Sequence, residues 1–353
     1  MNKNSKIYVA GHSGLVGSAI VRCLKACGYE NIITRSSGLL NLVKQDSVDE
    51  FFNAQKPEYV FLAAAKVGGI LANGTYPADF IYENIMMGAN IVHASYKYGV
   101  QKLLNLGSSC IYPKFAPQPM KEDSILTSEL EPTNEAYSIA KIAVIKLCRY
   151  YNQQYGTNFI SIMPTNQYGE NDNFNMETAH VLPMLIRRFY LAKLLQSDDF
   201  EGIKKDLQKY PLGYGLDFEK IIYQDNEKIA NVLATLGAYR DRVVIWGNGL
   251  VYRELMNSCD LANACVYLME YKDHKDIGEF VNITSGSDIL MKDLVEIVKK
   301  IVGFEGKIEY DGTKPNGMPR KLMDDTKIRS LGWRPQISLT EGIGSYYKWY
   351  VES

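Results

Sequence analysis

Lys6–Ile20 reads KIYVAGHSGLVGSAI, an apolar run that breaks into closely spaced glycines and then resumes with helical spacing through VRCLKACGY. Gly11, Gly14 and Gly17 stand three apart between the two runs. Short β-rich runs and longer helical patterns keep alternating downstream: NIITR, DSVDEFFNAQ, YVFLAAA, NIVHASYKYG and KLLNLGSS. Strand followed by helix, repeated in this way, predicts a parallel sheet covered by helices on both faces.

The expected fold class is therefore α/β, a doubly wound parallel sheet of the Rossmann type. Residues 1–167 are read as the dinucleotide-binding domain. After Pro164 the alternation weakens, with strands expected at VVIWG and EFVNIT and a helix at MKDLVEIVKKIVG. Residues 168–353 are read as a smaller α/β substrate domain. The stretch from about 194 to 241 is rich in helix formers and charge and reads as a helical insertion.

With 353 residues and 46% hydrophobic content, the chain can bury an extended core. Lys plus Arg (39) nearly cancels Asp plus Glu (40), so no global field exists to hold nucleic acid or an anionic membrane. No apolar run approaches the ~20 residues needed to span a bilayer. The opening MNKNSKIYVAG lacks a leader pattern, so a cytoplasmic protein is expected. The six cysteines show no CxxC spacing and the four histidines are scattered, so no metal site is expected.

Glycine permits a tight turn and lets backbone N–H groups and a helix N-terminus approach a pyrophosphate. A GxxGxxG frame could serve turn and packing alone; a strand before it and a helix after it favour dinucleotide binding. Arg35 follows the second strand, where an NAD enzyme usually carries an acidic residue for the ribose. An arginine there can pair with the 2′-phosphate of NADP, so NADP(H) is the expected cofactor. The plain alternative is a solvated arginine at a strand end.

Tyr137 and Lys141, in NEAYSIAKIAVIKLC, share one face of a predicted helix. A nearby ammonium favours the phenolate, so Lys141 is expected to lower the Tyr137 pKa and make it a usable general acid. The Ser pair of LGSSCIYP closes an apolar strand where its hydroxyls would face a nicotinamide.

These residues, with LAAAKVGGILANGTYPADFIYEN, MPTNQYG, HVLPMLIRRF, VVIWGNG and KPNGMPRKLMD, resemble the extended short-chain dehydrogenases and, within them, the GDP-L-fucose synthase family. The resemblance covers nearly the whole chain. It implies NADPH-dependent reduction of the C4 keto group of a GDP-linked 4-keto sugar, with possible 3,5-epimerisation, by a homodimer. Ser108, Tyr137 and Lys141 match the reductase triad. Cys110 and His180 match the groups assigned to proton exchange at C3 and C5. Asn166, Arg188, Trp246, Arg253, Asn316 and Lys321 fall around the GDP-sugar. Asn41, Leu42, Ala64, Lys141 and Pro164 complete the cofactor set.

Three departures bear on specificity. YRELMNSCD keeps Arg253, Glu254 and Asp260 but places Asn257, Ser258 and Cys259 where the family carries a His-Val-Asp run. KPNG puts Asn316 in place of an aspartate, and the insertion precedes VVIWG. A different sugar, such as a heptose, or a reductase without epimerisation would accommodate these changes. The competing readings are an epimerase with recycling NADP, a dedicated 4-ketoreductase, and a non-catalytic dinucleotide sensor; the last has no need for Tyr137 and Lys141 at catalytic spacing.

Overall fold

The structure, a computed structural model, describes residues 1–216, 218–314 and 318–353. The chain alternates β1 (Ile7–Ala10), α1 (Leu15–Ala26), β2 (Ile32–Ile33), α2 (Gln45–Gln55), β3 (Tyr59–Leu62), α3 (Ile70–Thr75), α4 (Pro77–Lys97), β4 (Lys102–Leu106), α5 (Glu135–Tyr155), β5 (Phe159–Pro164) and β6 (Asn166–Tyr168). It continues through α6 (Val181–Gln196), α7 (Phe200–Lys209), α8 (Phe218–Ile222), α9 (Asn226–Thr235), β7 (Arg242–Trp246), β8 (Tyr252–Asn257), α10 (Ser258–Tyr271) and α11 (His274–Ile277). β9 (Val281–Ile283), β10 (Asp288–Leu290), α12 (Met291–Val302), β11 (Lys307–Asp311), α13 (Thr326–Ser330) and α14 (Leu339–Glu352) complete it.

Two compact units result. The first takes residues 1–171, 254–287 and 321–337; the second takes 172–253, 288–320 and 338–353. The single break after 167 read from the sequence does not anticipate the two later returns of the chain to the first unit.

The first unit is built on a six-stranded parallel sheet in the order β2-β1-β3-β4-β5-β9. Every residue of β1, β4 and β5 is buried, because helices cover both faces and no alternation of polar residues is tolerated. The EFVNIT strand joins this sheet beside β5, its β9 core wholly buried. α10 follows for the same reason: Leu261, Ala264, Cys265 and Leu268 pack in one core with Ala19, Ile20 and Leu24 of α1. A second core, with Tyr8, Phe51, Phe52, Ile91 and Val144, fills the other face.

The replaced segment after Glu254 has a structural role here. Asn257 caps α10 by accepting from the Cys259 N–H at 2.9 Å, and Asp260 accepts from the Gln336 and Ile337 N–H groups at 3.0 and 2.9 Å.

In the second unit β7 and β11 form a two-stranded parallel sheet, and α6 packs with α12 and α7. Residues 194–241 contribute the end of α6 and then α7, α8 and α9. Among the described residues no helix is long and apolar enough to cross a membrane.

Candidate active site

The glycine frame is set by steric demand at the carboxyl ends of the strands. Gly11 has φ +81°, and a Cβ there would lie 2.7 Å from the Ala64 backbone nitrogen; one on Gly17 would lie 2.0 Å from the Gly11 carbonyl oxygen. Only glycine allows the β3 exit and α1 to approach this turn so closely. Gly14 caps α1 with no side-chain hydrogen bond, which leaves the helix N-terminus open to an anion. Asn90, buried on α4, donates to the carbonyls of Leu42 and Val43 at 2.9 and 3.1 Å, and Asn41 accepts from the Val43 N–H at 3.0 Å. The loop after β2 is thereby fixed beside the turn. Arg35 is exposed, donates to the Thr34 carbonyl at 2.7 Å and lies 5.8 Å from the Phe51 ring centroid. These residues fit a dinucleotide with a 2′-phosphate: a close backbone cradle, an uncapped helix start and an accessible guanidinium.

Ser108 ends the turn after β4 and accepts from the Cys110 N–H at 3.3 Å, opening a short 3₁₀ turn over Ser109–Ile111. Tyr137 and Lys141 come from the first turns of α5, both buried, and Ser108 hydrogen-bonds the Tyr137 phenol. The Lys141 ammonium donates to the Leu106 carbonyl at 2.9 Å and lies 5.7 Å from the Tyr137 ring centroid. The expected lowering of the Tyr137 pKa is corrected here. Burial, with a smaller effect of Cys110, pushes Tyr137 above the ordinary phenol range, against the Ser108 bond. Desolvation is the dominant cause, and Lys141 is itself pushed down to about 8 by burial.

Cys110 meets a partner the sequence left unassigned to it. The Lys321 ammonium lies 3.7 Å from the Cys110 sulfur. Lys321 is held by its neighbours: Met120 and Leu322 share a backbone bond of 2.8 Å, and the Leu322 N–H donates to Gln118 at 2.7 Å. Glu254, fully buried and unassigned from sequence, is the hub beneath. Its carboxylate accepts from the Met323 N–H at 3.1 Å, the Ser285 N–H at 2.7 Å, the Gly286 N–H at 3.3 Å and the Thr284 hydroxyl. Burial raises its pKa against these bonds. Its one legible signal was its retention, with Arg253 and Asp260, in YRELMNSCD. Asn166, two residues after Pro164 ends β5, donates to the Glu254 carbonyl at 2.9 Å.

The remaining candidates belong to the second unit. His180 is the exposed N-cap of α6. Arg188 is buried, donates to the Val244 carbonyl at 2.8 Å, and is pushed down to about 10 by burial. Trp246, 46% exposed, ends β7 with the Lys314 ammonium 5.4 Å from its ring centroid. Arg253 donates to the carbonyls of Tyr252 and Met318, both at 2.7 Å. Asn316 lies outside the described residues.

The glycine turn follows β1, Ser108 follows β4, and Tyr137 and Lys141 stand on α5, all within the first unit. The family model described as "NAD dependent epimerase/dehydratase family" matches residues 7–224. The chain belongs to the NAD dependent epimerase/dehydratase family. The likeness to extended short-chain dehydrogenases read from the sequence is thereby borne out, and so is the fold class. A putative GDP-L-fucose synthase 2 from Arabidopsis thaliana is 48% identical over 353 residues, which cover 100% of this chain and 94% of that one. A solved GDP-D-glycero-L-gluco-heptose synthase from Campylobacter jejuni, in the presence of NADPH, is 39% identical with a TM-score of 0.90 over 99% of both chains. A GDP-mannoheptose C4 reductase from Campylobacter jejuni, with NADP bound, is 40% identical with a TM-score of 0.87 over 99% of both chains.

Proposed function

We propose that this chain reduces the C4 keto group of a GDP-linked 4-keto sugar with NADPH, as a step in making a surface-polysaccharide sugar. The observation that carries the reading is the Ser108–Tyr137–Lys141 set beside an uncapped, glycine-lined helix start. NADPH supplies the hydride when bound. Gly11, Gly14 and Gly17 would cradle its pyrophosphate, Arg35 its 2′-phosphate, and Asn41, Leu42, Ala64 and Pro164 its flanks.

The residues of the chain then divide the proton work. A phenol raised by burial stays protonated at neutral pH, which is the state a general acid needs for reduction. Tyr137 gives its proton to the C4 oxygen, and Ser108 orients that oxygen through the same hydrogen-bonded pair. Lys141 places positive charge near the phenolate that forms. Arg188, Trp246, Arg253, Asn166 and Lys321 are read as the GDP-sugar contacts: the cations suit a diphosphate and the exposed indole a flat ring. The homodimer is proposed to pair through the 21-residue helices α4 and α5, in the cytoplasm.

Cys110 beside Lys321 favours retention of proton exchange as a second activity, since a thiol and an amine in contact offer a route for a proton. One experiment separates the readings: NADPH and a panel of GDP-4-keto hexoses and heptoses in heavy water, with product NMR. Reduction at C4 is expected for at least one sugar, with deuterium at C3 or C5 where Cys110 acts. Reduction without deuterium marks a dedicated 4-ketoreductase. No reduction of any panel member sinks the proposal.

Cofactor choice has its own test. Arg35→Asp should weaken NADPH binding while sparing NADH, because a carboxylate replaces the guanidinium at the 2′-phosphate. Loss of a charge-assisted pair predicts about a tenfold or larger drop in NADPH affinity. Equal binding of both cofactors by the parent enzyme contradicts the assignment.

A further inference from the structure

α6 carries two adjacent arginines, Arg187 and Arg188, at 0% and 3% exposure. Successive helical residues point about 100° apart, so the two guanidiniums meet different surroundings. Arg187 is saturated. Its Nε and one terminal nitrogen reach Asp206 at 2.9 and 2.8 Å, and its terminal nitrogens donate to the carbonyls of Phe174, Tyr210 and Pro211, each at 2.7 Å. Arg188 is not. Besides the Val244 carbonyl it reaches only the Met184 sulfur, a weak acceptor at 3.7 Å; its buried Nε has no partner and no carboxylate pairs with it among the described residues. A buried guanidinium without a counter-ion is costly, and an arriving anion offsets that cost.

A second feature lies in the same unit. Arg187 pins the carbonyls of Tyr210 and Pro211, and the chain then turns through Gly213, Tyr214 and Gly215, with φ of +79°, +53° and +69°. The two glycines adopt this conformation freely, whereas Tyr214 pays for its Cβ. The surroundings enforce it. The Tyr214 N–H donates to Glu177 at 2.6 Å, and a Cβ on Gly213 would lie 2.5 Å from the Glu177 Cβ. The ring so held is 42% exposed, its hydroxyl 3.5 Å from the Met176 carbonyl oxygen. Phenol and Arg188 guanidinium are close enough for each to influence the other's charge. A strained, non-glycine residue held near a buried cation that has no carboxylate partner among the described residues is an arrangement that packing alone does not require.

We propose that Tyr214 is a further substrate-binding residue, its hydroxyl donating to a phosphoryl oxygen of the nucleoside diphosphate whose charge Arg188 meets. The assignment rests on the GDP-sugar reading above. It gives the 194–241 segment a role in holding the nucleotide end of the substrate.

The test uses the full-length protein with GDP, guanosine and inorganic pyrophosphate as calorimetric probes, and NADPH as a control. Tyr214→Phe should weaken GDP and pyrophosphate by about tenfold, the size of one hydrogen bond to a charged group. Guanosine and NADPH affinities and the thermal midpoint should stay unchanged. Tyr214→Gly should show the same loss with an equal or higher midpoint, since glycine relieves the left-handed strain. A purely structural tyrosine would instead lower the midpoint. Unchanged GDP affinity in Tyr214→Phe, or an equal loss for guanosine, overturns the proposal. If the parent binds pyrophosphate in a Tyr214-dependent way but not GDP, the anion contact stands and the GDP reading falls. If it binds neither, both fall.

Discussion

Tyr137→Phe lowers reductive turnover by about 10²- to 10⁴-fold, the usual worth of a positioned general acid, with NADPH affinity nearly unchanged. The substitution removes one hydroxyl from a buried ring whose packing is otherwise kept. The lost group is the one that Ser108 hydrogen-bonds, and with it goes the proton proposed for the C4 oxygen. The same site sets a pH limit. Lys141, held down at about 8, is an ammonium below that value and loses its charge as pH rises through it. Turnover in the reductive direction should therefore be flat below about 8 and decline above it. Stability runs the other way. The folded pKa lies below the unfolded one, so burying the charged form costs stability at lower pH, and the cost is relieved as pH climbs from about 8 through the unfolded value. A Phe variant with near-parent turnover would show that the proton comes from elsewhere.

Arg187→Met is expected to destabilise the protein by about 3–5 kcal/mol, the cost of leaving one partner of a buried ion pair uncompensated. Methionine fills much of the volume but satisfies nothing. Asp206, buried and already raised in pKa by desolvation, keeps only the Tyr350 hydroxyl and its long-range charges, while three carbonyls lose their donor. Denaturant unfolding of the parent, the single variant and Arg187→Met with Asp206→Leu measures the effect. The double variant should recover part of the loss, because it removes the stranded carboxylate. A single-variant loss below about 1 kcal/mol would show that the network contributes little to holding this unit together.

What the sequence made legible was local. The glycine frame, the Tyr-Lys spacing and the strand–helix alternation are each written within a few residues, and each appears where expected. Relations across long separations were not legible. Lys321 is 211 positions from the thiol it approaches, and nothing in KPNGMPRKLMD announces that meeting. β9 and α10 read as parts of a second domain because their patterns fit either sheet; only burial against β5 and α1 decides the matter. The sign of the Tyr137 shift was missed for a different reason. Spacing reveals a charge nearby, but desolvation depends on everything that surrounds the ring. Arg187 was passed over beside Arg188 because a one-residue step on a helix, invisible in a string of letters, separates a clamp saturated by Asp206 and three carbonyls from a cation with a single strong acceptor.

The path of the chain carries a consequence for how this enzyme can be taken apart. It passes from one unit to the other five times, after residues 171, 253, 287, 320 and 337. A single proteolytic nick in any of these passages leaves both units tethered through the other four. Neither unit can be expressed as one uninterrupted gene fragment, so the modularity apparent in three dimensions is denied to recombination, and exchange of substrate preference between relatives must proceed by short replacements within segments.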